Sequence, residues 1–238
     1  MDAPDPAPRP ELHDRVVIVT GGSSGLGAAV AARLGAGGAK VTVLDLRPSP
    51  DGVPTVEVDL ADGRATERAV AEAARAAGGL DAVVTCAGVD VPGALDAVDG
   101  ATWDRIVAVN LLGTAAVVRA ALPFLRPSRG RVVTIASTLG HRAVGDATAY
   151  CASKFGVVGF TRALTAELRG EVGVTMLTPG GMRTAFFDER EDRYKPPADL
   201  HLCDPAQVAD AVAFALTRPA GCEIRELVVT PPGETSWP

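Results

Sequence analysis

The sequence predicts one α/β domain built on a doubly wound parallel sheet of about seven strands, with helices on both faces. Three observations predict it. Short β-branched runs alternate with alanine-rich stretches of helical length from residue 14 onward. The runs are largely apolar throughout rather than at every second position, a pattern that suits strands covered on both faces. A glycine-rich turn closes the first run and opens the first helical stretch.

Residues 1–13 hold proline and charge with little to bury, and read as a flexible tail ahead of a single domain at 14–238. The first strand is expected at 16–20, followed by a helix at 25–34. Strands at 40–45 and 55–58 precede a helix at 62–77. A strand at 82–86 leads to a long helix at 101–125 and a strand at 131–136. A helix at 150–169 and a strand at 172–178 come next. Asp204 as N-cap and Pro205 in the first turn mark a helix at 205–216, and a last strand spans 225–230. This regular alternation implies right-handed crossovers. A chain of 238 residues is long enough for one sizeable core.

Composition narrows the function classes. With 47% hydrophobic and 22% charged residues the balance is that of an ordinary globular chain. A net charge of −6 and the lack of any Lys/Arg run argue against a nucleic-acid partner. Cys86, Cys151, Cys203 and Cys222 form no CxxC pair, and the three histidines are dispersed, so no metal site is expected. There is no signal-like N-terminus, and no stretch reads as a membrane span. The expectation is a soluble cytoplasmic protein with reduced thiols.

The run Gly21-Gly22-Ser23-Ser24-Gly25-Leu26-Gly27 sits between the first strand and first helix. Glycine there permits a tight turn and lets backbone amides approach a pyrophosphate at the helix N-terminus. Asp45 ends the second strand, where a carboxylate can accept hydrogen bonds from ribose hydroxyls and repel a 2′-phosphate. That favours NAD(H). Arg47, two residues on, offsets the repulsion and keeps NADP(H) as the alternative.

Tyr150 and Lys154 are four apart at the start of a helix and share one face. An ammonium beside a phenol stabilises the phenolate and lowers its pKa from near 10. On spacing alone the pair also reads as a packing tyrosine beside a solvated lysine.

Taken together, the glycine turn, Asn110, Ser137 after a strand and Tyr150-Cys-Ala-Ser-Lys154 resemble the classical short-chain dehydrogenase/reductase family. The resemblance extends to Asp59-Leu60, to Thr85-Cys86-Ala87-Gly88 (similar to the family's NNAG turn) and to Pro179-Gly180 with Thr184. It covers residues 15 to about 230. It implies a Rossmann-type fold and interconversion of a secondary alcohol and a ketone (EC 1.1.1.-). By the same resemblance Tyr150 is the acid/base, Lys154 holds the nicotinamide ribose and depresses the Tyr150 pKa, and Ser137 bonds the substrate oxygen. Asn110 anchors a water relay. The dinucleotide is expected against Gly21, Ser23, Ser24, Gly25, Leu26, Gly27, Asp45, Leu46, Asp59, Leu60, Cys86, Ala87, Gly88, Asn110, Tyr150, Lys154, Pro179, Gly180, Met182 and Thr184. Two departures stand out: Thr85 and Cys86 replace both asparagines of the turn, and Thr230-Pro231-Pro232-Gly233 follows the last strand.

Family substrates are met by the segments after Gly88, Ser137 and Gly180. Here these supply Val89, Leu139, Val144, Met182, Phe186 and Phe187, with polar Asp90, His141, Arg142 and Arg183. The partner class is a small alcohol or carbonyl compound. Small residues at Ala152, Gly156, Gly159, Ala163 and Ala166 form a stripe on the catalytic helix. It either packs on the chain's own sheet or meets a second copy, giving a homodimer or homotetramer. A non-catalytic dinucleotide-sensing regulator on the same fold is the competing function class.

Overall fold

Val16–Thr20 forms β1 at the middle of the sheet, and the computed structural model describes residues 12–197, 200–219 and 221–237 around it. The strands β2 (Lys40–Asp45), β3 (Thr55–Glu57), β4 (Ala82–Thr85), β5 (Arg131–Ile135), β6 (Gly173–Pro179) and β7 (Glu226–Val229) complete a parallel sheet in the order β3-β2-β1-β4-β5-β6-β7. The helices are α1 (Gly25–Ala36), α2 (Gly63–Ala76), α3 (Gly100–Val107), α4 (Thr114–Ser128), α5 (Thr148–Glu167) and α6 (Pro205–Leu216).

Alternation along β1 explains the two layers. Val17 and Val19 pack with Leu26, Val30 and Leu34 of α1 and Val208 and Val212 of α6. Ile18, pointing the other way, packs with Val70 of α2, Val117 and Leu125 of α4, and Leu164 of α5. Each fully buried aliphatic side chain contributes roughly 1.5–3 kcal/mol relative to exposure. Chain order reverses between β1 and β4, and the crevice at the carboxyl ends of these strands is where such sheets bind ligands.

The signalled start of α6 is present as a capping box: Asp204 accepts from the Ala206 amide at 2.9 Å, and the Gln207 side chain accepts from the Asp204 amide. Three expectations need correcting. The helix expected at 101–125 is two α-helices joined by a π-helical segment, Ala108–Gly113. Residues 1–11 of the expected tail lie outside the described residues, while Leu12 is 4% exposed and packs against α1 and Gly37. Finally, Gly100–Ser128 does reach the length and apolarity of a membrane span. Its side chains Val117, Val118, Ala121 and Leu125 instead face the sheet as core.

Candidate active site

The glycine turn is shaped by crowding. Gly21 has φ +68°, and a Cβ there would sit 2.7 Å from the Ala87 Cα. A Cβ on Gly27 would run into the Gly21 carbonyl oxygen. Only glycine lets the turn lie flat against β4 and α1 at once. Ser24 caps α1 with an extended backbone and no side-chain cap bond, so the first amides of the helix remain for a ligand.

Around this turn lie the other residues expected at a dinucleotide. Asp45 Oδ2 accepts from the Ser23 amide at 3.0 Å, and Ser23 Oγ donates to the Arg47 carbonyl at 2.5 Å. Leu46 is exposed beside them. Asp59 takes the Ala61 amide at 2.9 Å and pairs with Arg105 at 2.9 Å, which holds its carboxyl below the usual range. The Leu60 side chain is buried in the core. Thr184 comes within 3.6 Å of where a Gly25 Cβ would be, so the segment after Pro179 faces the glycine turn. That segment is pinned at Gly180 by Val229, at Gly181 by Glu234, and at Met182 by a bridge to Cys203.

The turn Thr85-Cys86-Ala87-Gly88 keeps its shape without asparagines. Thr20 Oγ1 accepts from the Ala87 amide at 3.2 Å, a role that went unread in the sequence. Thr85 Oγ1 is buried with no partner among the described residues. Burial pushes the Cys86 thiol up to about 12, so it stays protonated.

Asn110 lies in the π-helical segment. Its Oδ1 accepts from the Val89 amide at 2.8 Å, and its Nδ2 donates to the Val89 carbonyl at 2.9 Å and to Ser153 Oγ at 3.1 Å. The side chain thus ties the substrate-side turn to α5. Both side-chain donors are used, so a relay water would have to donate to an acceptor of Asn110: the second lone pair of Oδ1, or the main-chain carbonyl that Thr114 Oγ1 also bonds. A π-helical turn is a common device at functional sites because it displaces one residue from the α-helical register.

Ser137 lies two residues beyond β5, and its Oγ accepts from the Leu139 amide at 3.1 Å. The following turn packs on α5 so tightly that a Cβ on Gly140 would lie 2.8 Å from the Lys154 carbonyl oxygen. Helix α5 starts at Thr148, two residues earlier than expected, which puts Tyr150 in its first turn. Lys154 is 4% exposed; its Nζ donates to the Ile135 carbonyl at 2.9 Å and lies 5.7 Å from the Tyr150 ring centre. Ser137, Tyr150 and Lys154 therefore converge at the carboxyl end of β5.

Burial raises the Tyr150 phenol to about 12; its bond with Ser137 pulls it back, Asp90 pushes it up and Arg190 pulls it down. Burial lowers Lys154 to about 8. Lys154 is not among the groups that act on the Tyr150 phenol, and desolvation sets the direction of its shift, opposite to the depression expected.

On the substrate side, Phe186 stands 5.9 Å from the Tyr150 ring and 5.4 Å from Phe187. Arg190 stacks on both rings at 4.9 and 4.7 Å and pairs with Asp90 at 2.6 Å. Arg190 was not legible as a site residue, since its partner lies 100 residues away. Other expected contacts turn elsewhere. Arg142 donates to the Thr235 carbonyl, and Arg183 pairs with Asp204 at the surface. His141 meets Thr178 Oγ1 at 3.3 Å and Trp237 edge-on, in the C-terminal segment. Val89 and Val144 are exposed, and Leu139 is half-buried.

A protein-family model described as short chain dehydrogenase matches residues 15–195. An uncharacterised oxidoreductase of Staphylococcus aureus (strain MW2) is 33% identical over 232 residues, covering 92% of this chain and 98% of that protein. The ligand-free aldohexose dehydrogenase of Thermoplasma acidophilum has the same fold, with a TM-score of 0.84 at 24% identity over 94% of this chain and 95% of that one. A metagenomic short-chain oxidoreductase in complex with NADP gives a TM-score of 0.78 at 29% identity, covering 93% and 98%.

Proposed function

Because the chain belongs to the short-chain dehydrogenase family, whose members are oxidoreductases acting on CH–OH groups, we propose that it interconverts a secondary alcohol and a ketone with NAD(H). The observation that carries this reading is the convergence of Tyr150, Ser137 and Lys154 beside a glycine turn and an open helix N-terminus.

The residues fit a dinucleotide. Amides at Ser24, Gly25, Leu26 and Gly27 would hold the pyrophosphate, with Ser23, whose amide bonds Asp45, beside it and Gly21 admitting it by its lack of a side chain. Asp45 and Leu46 would meet the adenosine ribose, and Asp59 and Leu60 the adenine. Cys86, Ala87, Gly88 and Asn110 would line the far side, with Pro179, Gly180, Met182 and Thr184 around the nicotinamide. The bound nicotinamide supplies or accepts the hydride. In ketone reduction Tyr150 gives its proton to the substrate oxygen, and its raised pKa keeps that proton available at neutral pH. In oxidation it takes the proton back. Ser137 donates to the oxygen as charge grows on it. Lys154 would hold the nicotinamide ribose and present its charge to Tyr150. Four free cysteines suit a cytoplasmic setting.

The cofactor reading has a direct test. NADH should bind about tenfold tighter than NADPH or better, through ribose bonds to Asp45 and repulsion of a 2′-phosphate. Asp45→Ala should narrow or reverse the gap in a fluorescence titration. The NADP(H) reading is favoured by the solved relative that holds NADP and by Arg47 beside Asp45. Equal or tighter NADPH binding by the unmodified protein would establish it.

Assembly is a further part of this reading. Ala152, Gly159, Ala163 and Ala166 are exposed along α5, joined by exposed Phe155 and Leu112. Gly156 faces inward, and a Cβ there would clash with Leu111. A twofold contact along this face would give a dimer or tetramer of 24.3 kDa chains. Gly159→Glu should shift light-scattering mass toward the monomer and reduce turnover. A monomeric unmodified protein would refute the contact.

A further inference from the structure

The ion pair between Asp90 and Arg190 is built in an unusual way. Asp90 follows the turn at the end of β4 and is placed by the Asn110 clamp on Val89. Arg190 arrives from the segment after β6. Both side chains are inside, 5% and 14% exposed, with Nη2 on Oδ2 at 2.6 Å. In a guanidinium, Nε–H and the neighbouring Nη2–H leave along one edge, which a carboxylate ordinarily takes with both oxygens. Here only one of the two bonds forms. Asp90 Oδ1 and Arg190 Nε are each sealed from solvent and have no hydrogen-bond partner among the described residues. Nε and Oδ1 are each two bonds from the paired Nη2 and Oδ2, so one donor and one acceptor are left close together on the pair.

This edge adjoins the reacting centre. Arg190 stacks on Phe186, and Phe186 packs against Tyr150. The charges of both Asp90 and Arg190 reach the phenol. A single group that satisfies both must accept from Nε and donate to Oδ1. A neutral hydroxyl does both. A carboxylate has no proton to give and is repelled by Asp90, while an ammonium has no lone pair and is repelled by Arg190. The two atoms are sealed, so seating a hydroxyl on them requires the segment carrying Arg190 to move aside.

We infer that Asp90 and Arg190 together form a specificity site for a second, neutral hydroxyl, making the substrates diols, polyols or hydroxyketones rather than simple alcohols or keto acids. The inference rests on the oxidoreductase reading above and adds the substrate class to it.

The test compares kcat/KM for matched probes with the purified full chain and either dinucleotide. These are butan-2-ol against butane-2,3-diol, cyclohexanol against cyclohexane-1,2-diol, and butan-2-one against 3-hydroxybutan-2-one, with acetoacetate as the anionic control. The hydroxylated member should lead by about 10²-fold, since a site built to bond a hydroxyl rejects the analogue lacking it. Arg190→Lys keeps the charge but removes Nε–H, and Asp90→Asn keeps the shape but removes the acceptor charge. Each should bring the preference below about threefold, mostly through KM, with thermal melts reporting the fold. The preference of the unmodified protein is read without any variant. Equal use of both members, acetoacetate ahead of the hydroxyketone, or a preference surviving both variants overturns this inference alone. Inertness toward the whole panel overturns the oxidoreductase reading and the inference with it.

Discussion

Tyr150→Phe is expected to lower kcat by about 10³-fold or more, with NADH still binding in a fluorescence titration. The substitution removes one oxygen and its bond with Ser137. The ring keeps its packing on Phe186, and Ser137 keeps its bond to the Leu139 amide. What disappears is the group that the proposed mechanism uses to carry the proton between substrate oxygen and protein. The pH dependence follows from the same site. With the phenol raised to about 12, it is protonated at neutral pH and ready to donate. Ketone reduction should therefore change little through the neutral range, while alcohol oxidation, which needs the phenolate, should climb with pH. A phenylalanine variant retaining more than a tenth of the activity would remove Tyr150 from the mechanism.

Lys154→Met is expected to abolish most turnover and yet stabilise the ligand-free protein at pH 7. Burial lowers the folded pKa of Lys154 from 10.5 to about 8. Below pH 8 the folded and unfolded chains both carry the proton, and holding it in a buried place costs about 3 kcal/mol. Between about 8 and 10.5 the unfolded chain keeps the proton that the folded one has released, so stability from this group rises with pH. Methionine fills a similar volume without charge, at the loss of one bond to the Ile135 carbonyl worth about 1 kcal/mol. The variant should gain roughly 1–2 kcal/mol in a urea titration at pH 7. Near pH 10 the gain should vanish or change sign. A variant less stable than the unmodified protein at pH 7 would show that the buried ammonium is well solvated or paired. A buried lysine that lowers stability in this way is one kept for its chemistry.

Much of the architecture was legible because it is written locally. Largely apolar runs at β1, β4 and β6 marked strands covered on both faces, and Asp204-Pro205 marked the start of α6 to the residue. The Tyr150–Lys154 spacing and the glycine turn each report a backbone geometry that the chain must adopt at that point. The unread features depend on pairs that sequence separation hides. Arg190 meets Asp90 across 100 positions, and Ser236 reaches Thr138 across 98. Arg142 and His141 sit in the substrate-side loop by position, yet residues 235 and 237 draw them away. The pKa of Tyr150 went the other way from expectation because a sequence reports which charge is near but not how much water has been removed.

The π-helical segment at Ala108–Gly113 escaped notice for another reason: a single wide turn barely disturbs the apolar rhythm on either side. Its consequence is one of phase. A helical wheel drawn unbroken from Gly100 to Ser128 rotates every residue beyond Gly113 by about 100° from its true bearing, the angle of one α-helical residue. In effect the helix carries a hidden insertion. Leu112, 58% exposed, belongs to the stretch where that surplus is absorbed. Two chains compared along this helix will therefore match faces on both sides only when both have the wide turn, or when a one-residue gap is opened within it.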